Sequence, residues 1–180
     1  MRNSKNKNFK IILIGISGSG KTTIGKLLFK YFKISFIEGD KFHSLSSKIK
    51  MQKGIPLNNN DRVLWHKRIQ RKIKLSHNWV LSCSALGRWQ RKILCKKNNN
   101  VYFIHCRCEK NIIKKRIGLR IGHFFSPNLL ENQIRNFEEP INIPHIFTSN
   151  SKSSCLMKIF STLKKNRKLI LNNRSNLARL

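Results

Sequence analysis

The sequence predicts a three-layer α/β fold around a central parallel sheet, and three observations carry that reading. An apolar run of strand type, Ile11–Ile14, leads through a glycine-rich turn into a helical stripe of Ile24, Leu27, Leu28 and Tyr31. Strand-like and helical segments then alternate along the chain, which is the pattern of βαβ units with crossover helices. At 180 residues, with 39% hydrophobic residues and no internal repeat, the chain has the size of one domain with its own core.

Each element has a local reason. Residues 1–8 are polar and basic and are expected to fray; the domain spans 9–171, and 172–180 reads as a basic tail. Lys10–Gly15 is the first strand and Lys21–Phe32 the first helix. Ser35–Glu38 is a short strand ending in Glu38-Gly39-Asp40, which places Asp40 where open α/β sheets bind their ligands. A polar helix over Ser46–Lys53 stops at Gly54 and Pro56. Asn58 to Asp61 supply capping residues for a helix from Arg62 to Leu75. Trp79–Ser82 is a third strand, followed by Cys83-Ser84-Ala85-Leu86 and a helix to Cys95. Val101–Cys106 is the fourth strand and Lys110–Leu119 the next helix. Gly122–Pro127 reads as a mobile connection, followed by a helix over Asn128–Phe137 and a short strand over Ile146–Thr148. Leu156, Ile159, Phe160 and Leu163 stripe a C-terminal helix.

The turn after the first strand carries chemistry. Gly15, Gly20, Lys21 and Thr22 fit G-x-x-x-x-G-K-[ST], the phosphate-binding loop. Its glycines let successive backbone N–H groups of Gly15, Ile16, Ser17, Gly18, Ser19 and Gly20 turn toward phosphate oxygens. The helix that opens with Lys21, Thr22 and Thr23 adds the positive end of its dipole. Lys21 then reaches the β- and γ-phosphates of ATP, and the Thr22 hydroxyl holds Mg²⁺. The loop and the alternating elements together predict a P-loop nucleotide-kinase fold with a helical lid.

A phosphoryl acceptor also needs a place for its proton. The chain has only seven carboxylates, and Asp40 is the best placed as base and, with Thr22, as metal organiser; aspartates in such positions also cap turns. His43 is placed to bind a hydroxyl or a carboxylate. Arg62 and Arg91 suit an anionic acceptor, since guanidinium pairs bidentately with carboxylate. Arg116 and Arg120 share a helix face ahead of the mobile connection, so they are placed to close over the nucleotide, neutralise charge and exclude water. Solvated arginines are the competing explanation for each of these.

Composition limits the partners. With 38 Lys and Arg against 7 Asp and Glu, the net charge is +31, a balance that points to a nucleic-acid or membrane partner. The cations are spread along the chain among Asn and Ile rather than gathered in one patch, so a nucleic-acid-binding protein with a vestigial phosphate loop is the second choice. Five cysteines without C-x-x-C spacing read as reduced thiols rather than as a metal site. No apolar run has transmembrane length, and Ile11–Ile14 is too short for a signal-peptide core. The expected setting is the cytoplasm, with no membrane partner.

From Ile11 to Pro140 the motifs resemble those of gluconokinases of the small P-loop type. Beyond the phosphate loop, the resemblance rests on Gly39-Asp40-x-x-His43, on Lys50-Met51-x-x-Gly54-x-Pro56-Leu57 followed by Asp61-Arg62-x-x-Trp65, and on Cys83-Ser84-Ala85-Leu86 with Arg91. It continues through Arg116, Arg120 and Gly122-His123-Phe124-Phe125, and ends at Gln133 with Glu138-Glu139-Pro140. The resemblance implies ATP-dependent phosphorylation of D-gluconate on its 6-hydroxyl, with Asp40, His43, Arg62, Arg91, His123 and Gln133 at the acceptor. Lys21, Asp40 and Arg120 are then catalytic, Arg116 and Arg120 belong to the ATP lid, and the assembly is a homodimer. The chain departs from the family pattern at Gly87 and Gln90, where that pattern has lysine and tyrosine. Other small-acceptor kinases, of the shikimate or nucleoside-monophosphate type, share the first loop and are the enzyme alternative.

Overall fold

A computed structural model describes residues 9–96, 98, 100–120, 122 and 124–177, with side chains described as far as Lys165. Five strands form one sheet: β1 Lys10–Ile14, β2 Ser35–Glu38, β3 Trp79–Ser82, β4 Val101–Arg107 and β5 His145–Phe147. Their order is β2-β3-β1-β4-β5, and every described pair is parallel. β1 is central, and Ile11–Ile14 are fully buried. Alternate β1 residues feed two cores: Ile11 and Leu13 join α1 (Lys21–Phe32) and α7 (Lys152–Leu177), while Ile12 and Ile14 join α3 (Asn59–Lys74) and α4 (Arg88–Cys95). The strand period of two thereby makes a three-layer protein, with the sheet buried on both faces.

The register fixes the active end. Leu13 pairs with Ser82 and Ile104, and Glu38 also pairs with Ser82, so β1, β2 and β3 finish within one residue of each other while β4 runs two residues past the partner of Ile14. Everything after Ile14, Glu38 and Ser82 therefore lies at one rim, the carboxyl edge at which ligands bind.

Boundaries shift where caps decide them. α3 begins three residues earlier than expected, because Asn58 alone is its cap. Asn58 Oδ1 accepts from the Asp61 amide, and Asp61 Oδ2 accepts from the Asn58 amide. This reciprocal box puts Asp61 inside the first turn. Lys50, near the end of α2 (Leu45–Gln52), donates to the same Asp61 oxygen at 2.8 Å and ties the two helices together.

The connection after α5 (Lys110–Gly118) lies down in the structure on its described residues. Phe125 is buried with Met51, Ile113, Ile117 and two leucines of α6 (Leu129–Arg135), and the Ser126 amide donates to the Met51 carbonyl. The lid segment thus rests against α2, over the rim of the sheet. No helix among the described residues is long and apolar enough to cross a membrane, and all five cysteines are free.

Candidate active site

The phosphate loop has the backbone its glycines predict. Gly15, Gly18 and Gly20 stand at φ of 140°, 81° and 86°, all in the range that favours glycine. A Cβ at Gly15 would meet the Cys106 carbonyl oxygen at 2.6 Å, so β4 also forbids a side chain there. Lys21 folds across the loop and donates from Nζ to the Ile16 carbonyl at 2.8 Å. Burial lowers its pKa, opposed most strongly by the charge of Asp40. The Ser19 Oγ is buried with no hydrogen-bond partner, a polar atom the loop leaves for something it cradles.

Two carboxylates face this loop. Asp40 sits in the 3-10 turn Gly39–Phe42 directly after β2, and α3 positions that turn through the Trp65 Nε1, which donates to the Gly39 carbonyl at 2.8 Å. Glu38, the last residue of β2, was not singled out from the sequence. Burial raises the pKa of its carboxyl, opposed by the neighbouring Thr22 and Ser82 hydroxyls. Thr22, Glu38 and Asp40 thus supply hard oxygen donors beside the loop. Among the described residues no group of three or more His, Cys, Asp or Glu forms a protein-only metal cage.

Gly39 is required sterically: a Cβ would collide with the Ser82 carbonyl oxygen, which the sheet cannot yield. Gly39→Ala is expected to destabilise the fold by about 1–3 kcal/mol and to lower turnover by displacing Asp40. Thermal unfolding of the variant measures the first effect; an unchanged midpoint would contradict the fit.

Beside Asp40 opens a cleft of about 560 Å³, walled by α2, α3, the Ser84–Gln90 segment, the lid and α6. Asp40, His43, Arg62 and Gln133 all line it. His43 stacks on Trp65 with ring centroids 4.0 Å apart, and its Nε2 lies 4.0 Å from Asp40 Oδ1. Burial lowers the His43 pKa to about 4, so the ring is neutral at pH 7, and its buried Nδ1 has no partner. The Arg62 guanidinium makes no hydrogen bond or ion pair among the described residues and remains available in the cleft wall. The Gln133 Oε1 accepts from the Ser17 amide at 2.8 Å, joining α6 to the phosphate loop.

Arg91 is placed differently from the acceptor contact expected of it. It does not line the cleft. Its guanidinium donates to the Ala85 and Leu86 carbonyls at 3.0 Å each and to the Glu138 carbonyl at 3.1 Å. Ala85 holds φ of 39°, a left-handed conformation that is strained for any residue with a Cβ, and Arg91 anchors that bend from behind. His123 lies outside the described residues.

On the other side of the loop a groove of about 1030 Å³ runs past Gly18, Gly20, Thr23, Arg116, Arg120 and the turn after β5. Arg116 is already engaged there: it donates to the Thr148 carbonyl at 2.9 Å, to the Thr148 hydroxyl at 3.2 Å and to the Gly18 carbonyl at 3.4 Å. The Thr148 hydroxyl donates in turn to the Ser19 carbonyl at 2.8 Å. Thr148, which the sequence did not mark as a site residue, therefore latches the β5 turn to the phosphate loop, whereas the Arg120 guanidinium makes no such bond among the described residues.

Three buried histidines make stability depend on pH. His43, His66 and His105 are each lowered from 6.5 to about 4, mainly by burial. The unfolded chain takes up these protons near 6.5 and the folded chain only near 4. Each group contributes stability above pH 6.5, roughly 3 kcal/mol at full effect, which is lost as the pH falls from 6.5 to 4. Glu38, with its raised pKa, works in the opposite direction, one group against three. The unfolding midpoint is expected to fall steeply across that window, and a flat midpoint between pH 7 and 4.5 would refute the assignment.

A family model described as shikimate kinase matches residues 17–141. A probable gluconokinase of Dictyostelium discoideum is 36% identical over 180 residues, covering 91% of this chain and 90% of that protein. The thermoresistant gluconokinase of Escherichia coli K12 is 33% identical, covering 72% of this chain and 76% of its own. A crystal structure of a gluconokinase from Sinorhizobium meliloti 1021 superposes with a TM-score of 0.81 at 26% identity, over 92% of this chain and 97% of that one.

Proposed function

The chain belongs to the gluconokinase family, and on that footing we propose that it transfers the γ-phosphoryl group of ATP to the 6-hydroxyl of D-gluconate. The observation that carries the proposal is the position of Asp40. It lines the acceptor cleft and at the same time acts on Lys21 of the phosphate loop, so one carboxylate stands where acceptor and donor meet.

The chemistry follows from these residues. The loop amides and Lys21 hold the phosphates, and the nucleoside extends along the groove past Thr23, Arg120 and the Thr148 turn. Gluconate occupies the cleft, its oxygens taken up by Arg62, His43 and Gln133. Asp40 orients the 6-hydroxyl and accepts its proton as that oxygen attacks the γ-phosphorus in line. The bond from the γ-phosphorus to the β–γ bridging oxygen breaks, the electron pair leaves with ADP, and 6-phosphogluconate remains. Bound Mg²⁺ neutralises phosphate charge, and Thr22, Glu38 and Asp40 are the residues that would hold it. Lys21 and Arg120 stabilise the charge on the transferring group. Arg91 supports the cleft from behind by fixing the Ala85 bend.

The reading places the enzyme in the cytoplasm as a homodimer, and light scattering on the purified protein tests the second point. The function itself is tested by ADP release in a coupled assay over gluconate, shikimate and nucleoside monophosphates. Turnover with gluconate is expected; turnover with shikimate or a nucleotide but not gluconate would overturn the proposal.

A further inference from the structure

Gln90 lines the acceptor cleft, although it is only 2% exposed. It is the third residue of α4, and its side chain turns back so that Oε1 accepts from the Gly87 amide at 2.9 Å. A backbone N–H can only donate, so the atom facing Gly87 must be the oxygen. The carboxamide is planar, and fixing the oxygen fixes the NH₂ group. That NH₂ makes no hydrogen bond among the described residues. It is also not one of the sealed, unpartnered atoms, which are the Ser19 Oγ, the His43 Nδ1 and the Trp79 Nε1. An unbonded donor that is not sealed, on a side chain lining a cleft, is presented to that cleft.

Gln133 has the same wiring on the α6 side, its oxygen held by the Ser17 amide at 2.8 Å and its NH₂ without a hydrogen bond among the described residues. The cleft is thus faced by two pre-oriented amide donors in addition to Arg62. Such donors suit a ligand rich in oxygen acceptors, and a fixed donor loses little entropy on binding.

We propose that the Gln90 carboxamide NH₂ binds an oxygen of the acceptor and is a specificity-determining contact for it, at a position where the family pattern has tyrosine. The inference rests on the gluconate reading above. Gln90 is a binding residue and takes no part in the proton transfer.

Gln90→Glu isolates the donor. It keeps an oxygen for the Gly87 amide, so the start of α4 is retained, and replaces the NH₂ by an oxygen that cannot donate to an anionic acceptor. Gln90→Met removes the donor without adding charge and carries the test if the glutamate variant does not fold. Steady-state kinetics with ATP and gluconate, beside thermal unfolding of each variant, give the readout. The expected result is a gluconate KM raised about tenfold or more in either folded variant, with the ATP KM within twofold of the parent protein. An unchanged gluconate KM overturns the inference and leaves the gluconate reading standing. A parallel rise in both KM values also overturns it, since that marks general damage to the rim. Absence of gluconate turnover in the parent protein removes both readings together.

Discussion

Lys21→Ala is expected to lower kcat by about 10²–10⁴-fold while leaving the protein folded. The ammonium lies inside the phosphate loop, bonded to the Ile16 carbonyl, with Asp40 and Glu38 acting on it. Burial favours its neutral form and the carboxylates favour its charged form, so the site spends electrostatic energy to keep a cation there. Such an arrangement stabilises little in the fold and much in a reaction that gathers negative charge on a phosphoryl group. Removing the side chain leaves the loop glycines, the α1 N-terminus and the buried face of β1 intact, so the unfolding midpoint should shift little. Its loss should fall mainly on kcat, because the charge it meets is greatest in the transition state. Near-normal turnover would mean that the loop does not hold the donor phosphates.

The sequence made the scaffold readable for reasons visible in particular segments. Lys21–Phe32, Ser35–Glu38 and Trp79–Ser82 have the expected bounds; the helix stops at the left-handed Lys33 and the second strand at Gly39. The phosphate loop was legible because its conformation depends on glycines close together in the chain. Arg91 was not legible in the same way. As a residue type it suits an anionic ligand, but three carbonyls of the Ala85 bend and Glu138 occupy its guanidinium. Arg116 likewise meets Thr148 and Gly18, neither of them near it in sequence. Glu38 stood beside Asp40 in plain view, but that it faces Thr22 and Ser82 follows from the register of β2 with β3, which pairs Glu38 with Ser82. Alternation along β2 could have marked it, since a residue at the carboxyl end of a strand beside a phosphate loop faces the ligand rim whatever its partner. Partnership of charged side chains across the fold is what one sequence hides.

Asp40→Asn separates a proton-accepting role of this carboxylate from one that only positions the acceptor hydroxyl. Asparagine has the same shape and still accepts a hydrogen bond, but it takes up no proton at neutral pH. If Asp40 is the base, kcat should fall by about 10²–10⁴-fold while the gluconate and ATP KM values stay within a few-fold. His43 cannot substitute. Its pKa of about 4 makes it a neutral ring at pH 7, but the burial that lowers it also opposes the charged state that accepting a proton would create. Lys21 is the cation whose charge couples to Asp40, so the variant also leaves Lys21 with one carboxylate fewer to hold its proton. The effect on rate should therefore combine loss of the base with partial loss of the loop cation. A rise in the gluconate KM with kcat preserved would instead make Asp40 a group that positions the hydroxyl, with water taking the proton.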